Sequence, residues 1–120
     1  MTWIYNSSNG NLSHNGELVG TGYSGNGLGL NNPLLEDDPD VGPIPRGAYT
    51  IGDFFTDPVK GPLVARLTPL PETDEYGRSG FMLHGDNQEL NHSASEGCIV
   101  MGRPIRQAVA NSGDIDLVVA

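Results

Sequence analysis

Glycine and proline interrupt this chain so often that a helical bundle is excluded. There are 17 glycines and 9 prolines among 120 residues; these are the two poorest helix formers, and glycine stands at about twice its usual share of ~7%. Short strands joined by tight turns are what remains. Two Asn-Gly pairs, Asn9-Gly10 and Asn15-Gly16, are favoured in hairpin turns because both residue types tolerate positive φ. Residues 2–5 alternate, with Trp3 and Tyr5 on one side and Ile4 on the other, as a half-buried strand does. Residues 12–14 and 17–23 follow around the turns, which predicts a three-stranded meander.

Further along, residues 24–32 are almost all Gly, Ser, Asn and Leu and read as an irregular loop. Residues 34–40 carry Glu36, Asp37, Asp38 and Asp40 and read as a solvated acidic loop, since the regular ligand spacing of a calcium site is absent. The stiff segment 42–47 opens into a strand at 48–51, and another strand is expected at 63–67. Residues 69–78 read as a polar loop. Phe81-Met82-Leu83-His84 is short and apolar, a buried strand that delivers His84 at its end. Pro104 suits a first helical turn, with Asn111 and Gly113 as stop signals for a helix over 105–110. Residues 115–119 form a closing strand. The expected class is mainly β, a sandwich or barrel with one short C-terminal helix, in one domain over residues 1–120.

Charge narrows the partners. Fifteen acidic residues against six basic ones give a net charge of −9, which repels phosphate backbones and anionic lipid surfaces alike, so nucleic acid and membrane are not expected partners. No apolar run approaches the ~20 residues of a membrane span, and the first residues show no signal-peptide pattern. Cys98 is the one cysteine, so no internal disulfide forms and stability rests on packing.

Cys98 follows glycine in Ser95-Glu96-Gly97-Cys98-Ile99-Val100, at the junction of a polar loop and an apolar run. Gly97 allows close approach by another chain, and successive amides at such a turn face an oxyanion well. A thiol nucleophile needs a base or a positive neighbour to ionise near neutral pH. Of the three histidines, His14 sits beside Asn15-Gly16 in an exposed hairpin, His92 lies in a loop, and His84 ends a buried strand, which fixes its geometry best. From these residues alone, Cys98 and His84 read equally as a catalytic dyad and as a packed thiol beside a satisfied strand-end histidine.

Five segments in order carry a resemblance: Gly20-Thr21-Gly22-Tyr23-Ser24-Gly25, Asn31-Asn32-Pro33, Gly42-Pro43-Ile44-Pro45-Arg46-Gly47, Gly77-Arg78-Ser79-Gly80-Phe81, and Ala94-Ser95-Glu96-Gly97-Cys98-Ile99. Together with Phe81-Met82-Leu83-His84-Gly85 before the cysteine segment, the chain resembles the small L,D-transpeptidase-like domain of type VI secretion effectors over nearly its whole length. The resemblance implies an L,D-transpeptidase-like β-sandwich or barrel and a cysteine enzyme acting on peptidoglycan stem tetrapeptides. Cys98 would attack the bond before the terminal D-alanine, with His84 taking the thiol proton. Water as acceptor gives L,D-carboxypeptidase action, a free D-amino acid gives exchange, and a second stem gives a cross-link.

Gly97, Ser95 and Gly85 would support the site, and Arg78, Asp86 and Tyr23 are candidates for substrate contact, Arg78 with a surface pair to Glu75 as its alternative. No cofactor or metal is implied. The resemblance also implies loading by the type VI secretion machinery without a signal peptide, synthesis in the producer's cytoplasm, delivery to a target bacterium's periplasm, and a cognate immunity protein. Two positions depart from the cell-wall enzymes, which commonly carry histidine before the Gly-Cys pair and arginine or asparagine two after the cysteine; here Glu96 and Val100 stand there. Glu96 is expected to point outward. Two other functions compete: a zinc peptidase using His84, Asp86 and His92, and a non-catalytic wall-binding module in which Cys98 merely packs.

Overall fold

The architecture is that of a computed structural model, and it describes residues 2–85 and 97–120. Among the described residues there are ten strands and one α-helix: β1 (Thr2–Tyr5), β2 (Asn11–His14), β3 (Glu17–Thr21), β4 (Tyr23–Ser24), β5 (Gly47–Ile51), β6 (Phe55–Asp57), β7 (Gly61–Pro69), β8 (Met82–His84), β9 (Ile99–Val100), α1 (Arg103–Ser112) and β10 (Asp116–Val119). They form one mixed sheet in the order β3-β2-β1-β10-β5-β7-β8-β9-β4, with β6 paired to β7 off that path. The mainly β class with one helix near the C-terminus is as expected from the sequence.

The meander forms because alternation and turn chemistry agree. Trp3 and Tyr5 are buried while Ile4 is exposed, and β1, β2 and β3 pair antiparallel in succession. Asn15 and Gly16 both take positive φ, 54° and 80°, which is the two-residue hairpin geometry. The first Asn-Gly pair differs from expectation. Only Gly10 takes positive φ, and the connection runs from Asn6 to Gly10, closed by the Gly10 amide on the Asn6 carbonyl at 2.8 Å. The strand expected over residues 17–23 breaks at Gly22 into β3 and a separate β4, and β6 lies where none was expected. β4 and β6 are each three residues or fewer, too short for alternation to register.

The sheet curls until its two edges meet. Strands β3 and β4 stand at opposite ends of the strand order, yet Gly22 alone separates them in the chain. The closure needs small residues. The Gly22 amide donates to the Gly10 carbonyl at 2.8 Å, and a Cβ at Gly22 would strike the Val100 carbonyl and the Met101 sulfur. Gly22→Ala is therefore expected to cost roughly 2–3 kcal/mol through overpacking, read as a lower urea midpoint.

Inside the curl, Trp3, Tyr49, Leu67, Leu83, Ile99 and Leu117 belong to one apolar cluster; each large side chain so buried contributes about 1.5–3 kcal/mol. Helix α1 packs against β7. Pro104 occupies its first turn, and Gly113 ends it in the left-handed conformation at φ 72°, as the stop signal requires.

Candidate active site

Strand register brings the two chemistry-bearing residues to one face. β8 and β9 run parallel, with Leu83 beside Ile99 and His84 beside Val100. Leu83 and Ile99 point into the apolar cluster, so His84 and Val100 point to the opposite face. Cys98 lies one step before β9, which by alternation puts it on the His84 face, diagonal to the histidine across adjacent strands. β4 extends the row, because Tyr23 pairs with Val100. Tyr23, Val100 and His84 thus stand side by side, all buried. Val100, which replaces the polar residue of the cell-wall enzymes, is part of this row.

His84 is fully buried, and its Nδ1 lies 2.7 Å from the Gly85 carbonyl oxygen. A carbonyl only accepts, so Nδ1 carries the proton and the neutral ring presents Nε2 as its basic nitrogen. The backbone fixes the tautomer that a general base needs. Gly85 also admits Arg106, whose guanidinium would collide with a Cβ there. Arg106 donates to the carbonyls of Met101 at 3.1 Å, Pro62 at 2.9 Å and Leu63 at 2.8 Å, tying the ends of β8 and β9 to the start of β7.

Cys98 is 9% exposed, and its Sγ donates to the Gly80 carbonyl at 3.8 Å. Gly97 before it takes φ 105°, a conformation open to glycine and strained for other residues. Arg78 presses against it: a Cβ on Gly97 would run into the guanidinium. That guanidinium is buried and forked onto backbone, with Nη1 donating to the carbonyls of Glu36 and Pro43 (2.5 and 2.8 Å) and Nη2 to Gly42 (3.1 Å). The surface pair with Glu75 is not formed; Arg78 meets Glu75 only through its backbone amide. Burial lowers the Arg78 pKa, while nearby groups that include Cys98 act to raise it. The cation therefore lies within electrostatic range of the thiol.

The segment that Arg78 holds is not the uniformly solvated acidic loop its composition suggested. Glu36 is 8% exposed, and its carboxylate accepts from the Arg46 amide (2.9 Å), Nε (3.1 Å) and Nη2 (2.9 Å) and from the Tyr76 hydroxyl (3.2 Å). Burial pushes the Glu36 carboxyl upward, but the hydrogen bonds and charge of Arg46 outweigh it, and the net direction is below the usual 4.5. A carboxyl depressed in the folded state stabilises above its unfolded pKa and loses that contribution as pH falls through its folded pKa. Glu36→Gln should cost roughly 1–2 kcal/mol at pH 7, since the Arg46 side of the pair is half exposed. Denaturation midpoints measured from pH 7 down to pH 3 should fall less steeply in the variant.

Tyr23 belongs to the His84 row, whereas Asp86, Ser95, Glu96 and His92 lie outside the described residues. His14 is not simply at the surface: its ring stacks on Trp3 with centroids 4.1 Å apart, and Nε2 lies 2.7 Å from Asp114. Among the described residues, no cluster of His, Cys, Asp and Glu is arranged to hold a metal, and no helix is long and apolar enough to cross a membrane.

Residues 19–116 match the family pattern of the Tlde1 domain. The chain belongs to that family. Tlde1 domains are type VI secretion effectors, which fits an antibacterial role, delivery into target cells by the secretion machinery, and a cognate immunity protein. No curated protein matches the chain. The matched region takes in every described residue of the His84–Cys98 face.

Proposed function

We propose that this Tlde1 domain is a cysteine L,D-carboxypeptidase or exchange enzyme acting on stem tetrapeptides of peptidoglycan in a target bacterium's periplasm. The observation that carries the reading is the register of β8 and β9, which by alternation sets Cys98 on the face of a histidine whose Nδ1–H is spent on the Gly85 carbonyl, leaving Nε2 as its basic nitrogen. Arg78 beside Gly97 adds the positive neighbour that a thiolate needs. His84 takes the Cys98 proton, and the sulfur attacks the carbonyl carbon of the third stem residue. The tetrahedral oxyanion meets the amides of Gly97 and Cys98. The C–N bond then breaks, His84 returns its proton to the departing D-alanine amine, and a thioester remains on Cys98. Water or a free D-amino acid, deprotonated by His84, opens the thioester and restores the thiol.

The test is to incubate the purified domain with a disaccharide-tetrapeptide containing meso-diaminopimelate, with and without D-methionine, and to read product masses. Loss of D-alanine, or its replacement by D-methionine, is the expected result. Unchanged masses with folded protein would turn the reading towards a wall-binding module, and cleavage that a chelator stops would turn it towards zinc.

A further inference from the structure

Arg106 is a buried cation whose hydrogen-bond partners, among the described residues, are all carbonyl oxygens. It is 8% exposed on α1, and the ion pairs among the described residues, His14–Asp114 and Arg46–Glu36, do not include it. Burying a guanidinium without a counter-charge is costly, and an apolar side chain often serves packing as well or better. The donors converge on the segment that ends in His84. Nε donates to the Met101 carbonyl at 3.1 Å, and the Met101 amide donates in turn to the His84 carbonyl at 3.0 Å. Nη1 donates to the Pro62 and Leu63 carbonyls at 2.9 and 2.8 Å, where Leu63 holds φ 58°, a left-handed conformation unfavourable for leucine. Nη2 lies against Gly85, so close that an added Cβ would stand 2.8 Å from it.

We infer that Arg106 is a positioning residue for the base: it holds Gly85 so that its carbonyl faces His84 Nδ1, and thereby keeps the basic lone pair on Nε2. The inference rests on the proposed role of His84, although the tautomer is set with or without substrate. One guanidinium braces the histidine from two sides. It reaches the His84 carbonyl through Met101, and it touches Gly85, whose carbonyl oxygen lies 2.7 Å from Nδ1. If the Gly85 peptide turned away, Nδ1 would lose that acceptor and the neutral ring could carry its proton on either nitrogen. The same contact explains the glycine. Gly85 does not take positive φ, so backbone twist does not require it; the space a side chain would occupy is filled by Arg106. Lysine would bring the charge without the planar fork that spans these carbonyls.

Heteronuclear NMR of the histidine ring nitrogens reads the tautomer directly, with the His84 signals assigned from His84→Ala. Wild type should show protonated Nδ1 and unprotonated Nε2 at a pH where the ring is neutral. The Nε2–H form should appear in Arg106→Met, and also in Gly85→Ala, which disturbs the same contact from the other side. Alkylation of Cys98 by iodoacetamide near neutral pH should slow by about 10-fold to 100-fold in both. Stem-peptide turnover should fall through kcat, with KM kept within about twofold. Arg106→Lys should recover part of each loss. If Arg106→Met does not fold, Gly85→Ala and Arg106→Lys decide. A purely structural arginine gives a different result: lower urea midpoints, but wild-type ring signals or a wild-type alkylation rate in the folded variants. That result overturns the inference, as does a wild-type His84 that carries its proton on Nε2. The ring signals and the alkylation rate need no substrate. A domain that turns over no stem peptide therefore loses the proposed reaction, while these two readouts still decide the role of Arg106.

Discussion

Cys98→Ala is expected to abolish release of D-alanine from stem tetrapeptides, a loss on the order of 10⁴-fold or more, because no other group replaces a missing nucleophile. His84→Ala should cost about 10²–10⁴-fold, the usual worth of a positioned general base. Both variants should stay folded. Cys98 is a small side chain outside the main apolar cluster, and the His84 backbone keeps its place between β7 and β9. Urea midpoints should therefore move far less than the rates. The pair should also be non-additive: the double variant should be no slower than Cys98→Ala alone, since the base has nothing to activate once the thiol is gone. A double variant markedly slower than Cys98→Ala would mean that His84 acts on something other than the thiol.

Arg78→Met carries the largest expected cost in stability. The guanidinium supplies hydrogen bonds to three carbonyls, those of Glu36, Gly42 and Pro43, and methionine leaves all three without that donor. Each buried orphan costs about 1–3 kcal/mol, so a total of roughly 3–5 kcal/mol is expected, a large part of the ~5–15 kcal/mol that folds a domain. Arg78→Lys should recover only a fraction, because an ammonium lacks the planar fork. At a temperature where both variants remain folded, iodoacetamide should label Cys98 more slowly at fixed pH in Arg78→Met, with Arg78→Lys in between. Wild-type labelling in a folded Arg78→Met would show that the cation has no influence on the thiol.

The β elements that alternate or carry turn residues were legible in the sequence: Trp3 and Tyr5 against Ile4, the Asn15-Gly16 hairpin, and Gly113 as a helix stop. The strand ends that hold His84 and Cys98 were legible too, because each apolar run stops at a polar or glycine boundary. What the sequence did not disclose depends on tertiary pairing. Nothing local marks Glu36 as buried among acidic neighbours; only the arrival of Arg46 and Tyr76 from distant segments makes it so. Arg78 and Arg106 look like surface cations until their carbonyl partners are known, and long side chains give no periodic signal of burial. The row of Tyr23, Val100 and His84 escaped notice for a different reason: it comes from the register of three strands, which no single strand's pattern contains. The closure through Gly22 is of the same kind, although the glycine itself was in view.

The central claim is that Cys98 carries the acyl group, and the most direct measurement is to trap it. The domain is mixed with diaminopimelate tetrapeptide, quenched in acid within the first turnovers, digested, and mapped by mass. The account predicts a peptide containing Cys98 that is heavier by the stem tripeptide acyl group, an adduct removed by hydroxylamine and absent from Cys98→Ala. D-alanine released at the full rate with no adduct on Cys98, and released equally by Cys98→Ala, would contradict it.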